Sequence, residues 1–128
     1  MRLLADTHVL LWAMDHPRRL SKVAVSLLTD EENELFFSPL SIWEVSIKGS
    51  LGRRDFNLDP SNLRRGLLNN GYTELPVNSD HAIAVQSLPK LHKDPIDRLL
   101  IAQTTVEGIT LLTSDRQVAK YPGPIRKV

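Results

Sequence analysis

RLLA at residues 2–5 runs straight into Asp6 and then THVLLWAMD at 7–15. Four residues ending in an aspartate read as a short buried strand whose last residue opens the next helix. The helix is apolar almost all round, with Val9, Leu10, Leu11, Trp12, Ala13 and Met14, so it must be buried or covered by a partner. Pro17 stops it, and Ser21 caps a second helix carrying Val23, Leu27 and Leu28. The pattern then repeats. LFF at 35–37 is a second strand, and Ser38-Pro39 opens a helix with Leu40, Trp43, Ile47 and Leu51 at helical spacing.

Further along, GSLGRRDFNLDP at 49–60 has the composition of an exposed connection. A helix is expected over 61–70, a short strand over 72–77 and a helix over 80–88. Asp94-Pro95 opens the clearest helix, with Ile96, Leu99, Leu100, Gln103 and Val106 on one face. ITLLT at 109–113 is another strand, Asp115 caps a helical turn, and 124–128 adds an edge strand. Strands alternating with helices predict an α/β/α sandwich around a mostly parallel sheet. With 128 residues, 41% hydrophobic and 24% charged, the chain suits a single domain able to build its core without cross-links.

Composition also excludes chemistry. The absence of cysteine removes disulfides, thiolate nucleophiles and cysteine-based metal sites. Sixteen Lys and Arg against fifteen Asp and Glu leave a net charge of +1, so contact with a polyanion must come from a local basic patch. No run approaches the roughly eighteen apolar residues of a membrane span. Asp6 and His8 interrupt the apolar opening and no small-residue cleavage site follows, so a cytoplasmic protein without membrane attachment is expected.

Ligands of such sheets bind beyond the carboxyl ends of the strands. Asp6 and Asp115 end strands there, Asp97 lies in the first turn after Asp94-Pro95, and Glu44 stands about one and a half turns into its helix. Taken singly, each has a structural explanation. Aspartate is a good cap, Asp97 complements a helix dipole, and Glu44 can pair with Lys48 one turn on. Taken together, carboxylates gathered at one end of a sheet repel and raise one another's pKa, and Glu44 shares its face with Leu40 and Ile47. A divalent cation relieves both costs, and an all-oxygen set favours Mg²⁺ or Mn²⁺ over zinc. Such an ion can activate water against a phosphodiester.

ADTHVLLW, SPLSIWEVSIK, HKDPIDRLLIAQ and LLTSD together resemble, in order and spacing, the PIN-domain ribonucleases, specifically the VapC toxins of type II toxin–antitoxin pairs. The resemblance spans nearly the whole chain. It implies a Mg²⁺- or Mn²⁺-dependent endoribonuclease in which Asp6, Glu44, Asp97 and Asp115 are the catalytic, metal-holding acids. It also implies a homodimer held inactive by a small VapB-like antitoxin, with RNA as substrate. Thr113 matches the polar residue before the last acid and either orients a carboxylate, binds water or simply ends its strand. At the helix start the resemblance fits either Asp94 or Asp97, and we read Asp97 as ligand and Asp94 as cap. The chain departs from the family in its short end, PGPIRKV, and in Val118, where an aromatic residue is common.

Lys48, Arg53 and Arg54 are candidates to line an RNA path, with Arg98 and Arg116 near the mouth of the acidic pocket. Trp12, Trp43 and Phe56 read as core or interface residues. His8, His16, His81 and His92 receive no role. Two other classes remain: a Mg²⁺-dependent phosphoryl-transfer or phospho-acceptor domain, and a catalytically inactive module of the same fold. TELPV lacks the strand-end aspartate a receiver needs, and His8 stands where a haloacid-dehalogenase phosphatase has its second aspartate.

Overall fold

Five parallel strands in the order β3-β2-β1-β4-β5 form the centre of the computed structural model, which describes residues 1–128. The strands are β1 (Arg2–Ala5), β2 (Glu34–Phe37), β3 (Thr73–Glu74), β4 (Thr110–Thr113) and β5 (Ile125–Lys127). The helices are α1 (Thr7–Asp15), α2 (Lys22–Thr29), α3 (Pro39–Ser50), α4 (Pro60–Asn69), α5 (Ser79–Ala84), α6 (Pro95–Glu107) and α7 (Arg116–Ala119). The sheet grows leftward from β1 through β2 to β3, then restarts on the other side with β4 and β5. The topology therefore reverses between β1 and β4, the place where sheets of this kind open a crevice.

Period-two alternation splits the core between the two faces. Leu4, Phe36 and Leu111 pack on one side against Ile96, Leu100 and Ile101 of α6. Ala5 and Phe37 point to the other, where Val9 and Leu10 of α1, Val45 of α3, and Leu63 and Leu67 of α4 close over them. The apolar first helix is thus covered mainly by its own chain: Val9, Leu10 and Leu11 are buried, and Trp12, Ala13 and Met14 are half-buried.

Several expectations need correction. The segment 49–60 is not wholly an exposed connection, because α3 runs on to Ser50 and Phe56, in a short 3₁₀ turn, is completely buried. Gly49 makes room for that turn, since a Cβ there would lie 3.0 Å from the Phe56 carbonyl oxygen. The strand expected over 72–77 keeps only Thr73 and Glu74, because Pro76 has no N–H to continue the ladder. The helix expected over 80–88 ends at Ala84 and tightens into a 3₁₀ turn at Val85–Ser87. Val106 does not join the buried face of α6, and Trp43 is 56% exposed, so it is no core residue. Ile47 is exposed as well, leaving Leu40 as the buried apolar neighbour on the Glu44 face.

The α6 C-terminus is closed by Gly108 in the left-handed conformation, φ 67°, whose N–H reaches the Thr104 carbonyl. Nothing crowds a Cβ at this position, so Gly108→Ala costs only the backbone penalty, about 1 kcal/mol. A lowered urea midpoint with unchanged slope is the expected result.

Candidate active site

Ala5 pairs with Leu112 across the reversal point, so the next residues, Asp6 and Thr113, come side by side where the two strands end. Asp6 becomes the cap of α1: its Oδ1 accepts from the Val9 N–H at 3.0 Å. Its Oδ2 accepts from the Thr113 hydroxyl at 2.5 Å. The same hydroxyl oxygen accepts from the Asp115 N–H at 3.0 Å, so the single Thr113 proton is directed at Asp6. Asp115 in turn caps α7 through the Gln117 N–H. Two acids that follow different strands are therefore held by one threonine.

Helix α3 brings the third. The Thr7 hydroxyl donates to Ser41 at 2.9 Å, locking the first turn of α1 to α3, and Glu44 follows three residues later on the same face. Glu44 is 3% exposed. Its Oε2 accepts from Lys48 Nζ, the pairing its helical spacing foresees, but its Oε1 is buried without any hydrogen-bond donor. An unpartnered carboxylate oxygen in that setting is costly unless a cation meets it. The N-terminus of α6 supplies the remaining acids. Asp94 caps the helix at the Ile96 N–H, 2.9 Å away, and Asp97 sits in the first turn.

All five carboxylates line one cleft of about 130 Å³ together with Thr7, His8, Lys48 and His92, and no apolar side chain contributes to its wall. The electrostatic consequence is strong. Burial, reinforced by the charges of Asp97 and Glu44, pushes the Asp6 carboxyl up to about 7 despite the hydrogen bonds from Thr113 and Val9. Burial and the adjacent Asp94 likewise push Asp97 up to about 6 against the stabilising contact of His92. The residues fit a divalent cation: oxygen donors crowd one cleft, and a buried oxygen of Glu44 lacks a partner.

The basic candidates fare differently. Lys48 does line the cleft, yet its ammonium is taken by Glu44 and stands 4.8 Å from the centre of the Phe56 ring. Arg53 is exposed and lies over that ring at 5.9 Å. Arg54 lines a neighbouring cleft with Trp12 and Arg19, and Arg116 is exposed at the start of α7. Arg98 departs from the expectation that it stands at the mouth. Its guanidinium turns toward the Val85 and Leu88 carbonyls, 3.4 Å from each, and does not line the acidic cleft.

Two histidines of the cleft, His8 and His92, received no role from the sequence, and His92 is the one that contacts an acid of the cleft. His92 Nε2 lies 2.8 Å from Asp97 Oδ2, and His92, Asp94 and Asp97 offer donor atoms all within 4.8 Å of one another. The signal available was the spacing His-x-Asp-x-x-Asp at the helix start. His81, by contrast, is a satisfied core residue: it closes a capping box with Asn78 and contacts Glu107 at 3.1 Å.

Known proteins agree with this architecture. The chain is 28% identical over 124 residues to Ribonuclease VapC22 of Mycobacterium tuberculosis, covering 95% of both. Among solved structures it resembles a chain of VapBC2 from Rickettsia felis bound to a promoter DNA fragment, with a TM-score of 0.70 and 14% identity over 99% of this chain and 98% of that one. A toxin–antitoxin complex from Klebsiella pneumoniae gives a TM-score of 0.66 and 17% identity, over 97% of this chain and 95% of that one. At such identities these structures speak for the fold. No helix is long and apolar enough to cross a membrane. The family model for the PIN domain matches residues 3–124, and with its strand order and the acids at its β1–β4 reversal the chain belongs to the PIN domain family.

Proposed function

We propose that this chain is a metal-dependent endoribonuclease of the VapC type, a toxin that cuts RNA phosphodiester bonds and is held inactive by a small VapB-like antitoxin. The observation that carries the reading is the buried oxygen without a donor on Glu44, a residue that lines a cleft shared by four other carboxylates. Mg²⁺ or Mn²⁺ suits this donor set, and Asp6, Glu44, Asp97 and Asp115 are the residues that would hold it. Bound there, a divalent cation supplies electrophilic stabilisation of the attacked phosphate and the acidity that turns water into a nucleophile.

The chain's own residues set the stage for that step. Thr113 and the α1 N-terminus fix both oxygens of Asp6, so its carboxylate cannot turn away from the cleft. Asp97 and Glu44 enter the cleft from two helices that touch each other. Lys48 offsets part of the carboxylate charge that would otherwise repel a phosphodiester. Arg53, Arg54 and Arg116, all exposed, would supply contacts to the RNA backbone outside the acidic centre. A homodimer in a soluble, cytoplasmic toxin–antitoxin complex completes the reading.

Cleavage of a mixed RNA pool by purified protein, with Mg²⁺ or Mn²⁺ against EDTA, tests the proposal. Cutting that needs the cation supports it. A folded, antitoxin-free protein that cuts nothing in the pool in either cation points first to a narrow RNA target and second to the inactive module. The division of labour at the α6 start is testable in the same assay. Asn still caps a helix, so Asp94→Asn keeps stability and most activity, whereas Asp97→Asn loses roughly tenfold more. Equal losses would make Asp94 a ligand as well as a cap.

A further inference from the structure

His92 lies in the loop before α6, where a side chain is ordinarily free to turn. Here it is held at both ends. Its backbone N–H donates to the Tyr121 phenol at 2.8 Å, and the phenol oxygen lies 3.4 Å from the His92 carbonyl. Tyr121 is 4% exposed and belongs to the core cluster of Leu100 and Val118, so the anchor is rigid. At the other end Nε2 meets Asp97 Oδ2 at 2.8 Å, while no protein donor reaches Asp97 Oδ1. The phenol thus fixes the loop, the loop fixes the imidazole, and the imidazole fixes which carboxylate oxygen is left for the cleft.

The linkage reaches further. Tyr121 closes the turn that ends α7, its N–H donating to the Val118 carbonyl, and α7 is the helix that Asp115 caps. Asp115 and Asp97, separated by 18 positions in the sequence, are therefore tied through Tyr121 and His92 as well as through the sheet. Partners of this kind, one layer behind the metal-facing oxygens, set ligand orientation and are typically worth about 10- to 100-fold in metal affinity.

We propose that His92, locked by Tyr121, is a positioning residue that orients the Asp97 carboxylate toward a divalent cation in the cleft. The proposal rests on the metal-dependent reading of the site. It makes the length of the side chain at position 92 decisive: glutamine carries an N–H to about the place of Nε2, whereas asparagine is too short to reach Oδ2.

Titration calorimetry of the full chain with Mn²⁺ alone tests this without any RNA. His92→Asn and His92→Ala should lose roughly 10- to 100-fold in Mn²⁺ affinity, while His92→Gln stays within about threefold of wild type. Tyr121→Phe, which keeps the ring in the core and removes the hydroxyl, should fall between. RNA cleavage at saturating Mn²⁺ should show a KM for RNA unchanged by His92→Asn, as befits a residue that acts through Asp97. Wild-type Mn²⁺ affinity in folded His92→Asn overturns the proposal, and so does His92→Gln binding as weakly as His92→Asn. Should His92→Ala fail to fold, the Gln and Asn pair decides. A wild-type protein that takes up no Mn²⁺ overturns the metal reading itself and this proposal with it, a result separable from the others because it appears before any substitution is made.

Discussion

Asp6→Asn is expected to fold, to melt cooperatively and to cut RNA roughly 10³-fold more slowly than the wild type, the equivalent of several kcal/mol of lost transition-state stabilisation. The fold survives because asparagine caps helices as well as aspartate, so its Oδ1 still accepts from Val9. The Thr113 hydroxyl, which now donates to Asp6 and accepts from Asp115, can turn to accept from the new amide. What disappears is the charge, at the one position bordered by both central strands. Glu44→Gln should act similarly, with a smaller stability change, because it removes the orphaned oxygen's charge and weakens the Lys48 pair together. Initial rates on one RNA substrate in Mn²⁺, with melting curves alongside, measure both. Rates within threefold of wild type in a folded Asp6→Asn protein would remove Asp6 from the chemistry.

The second large effect concerns stability without the cation. The folded state raises the Asp6 carboxyl from 3.8 to about 7, so between these values the native protein holds a proton that the unfolded chain has released. Stability from this group is therefore fully present below pH ~4 and is lost progressively as pH rises toward 7. Asp97, raised to about 6, acts in the same direction over a narrower window. For Asp6 the loss amounts to at most about 4 kcal/mol, roughly 15 °C in Tm for a chain of this size. In EDTA, wild type and Asp6→Asn should melt together near pH 4, and the mutant should melt higher at pH 8. Adding Mn²⁺ at pH 8 should restore the wild type and leave the mutant nearly unmoved. Parallel melting curves across that range would show that the cleft carries no such strain.

These effects trace to residues that local signals in the sequence could place, and the residues beyond reach are those held by distant contacts. Asp6 and Asp115 could be placed because each ends an apolar run of strand length and stands where a helix must be capped, so two independent local signals coincide. Asp97 followed from Asp94-Pro95, whose geometry starts a helix at one residue only. Phe56 reads as core or interface and is indeed buried, but its polar neighbours hide how it gets there: it is buried through the close approach that Gly49 permits, a contact seven positions away with no periodic trace. Arg98 looked like a cleft residue because its helix starts at the cleft, yet the carbonyls of Val85 and Leu88 draw it aside. For His92 the spacing to Asp94 and Asp97 was a local signal, but its anchor was out of reach for the same reason: the partner phenol lies 29 residues later.

The uniform direction of the five strands gives the molecule a working end and a blank one. The segments that leave β1, β2 and β4 lead to Asp6, Glu44 and Asp115, and the turns entering strands, such as 30–33 before β2 and 70–72 before β3, open about a strand length away at the opposite pole. Alterations at the two poles should therefore be borne very differently. Asp30, Glu31 and Glu32 are exposed and surround no cleft residue, so a fluorophore or a short peptide grafted there reports on the protein while leaving its chemistry undisturbed.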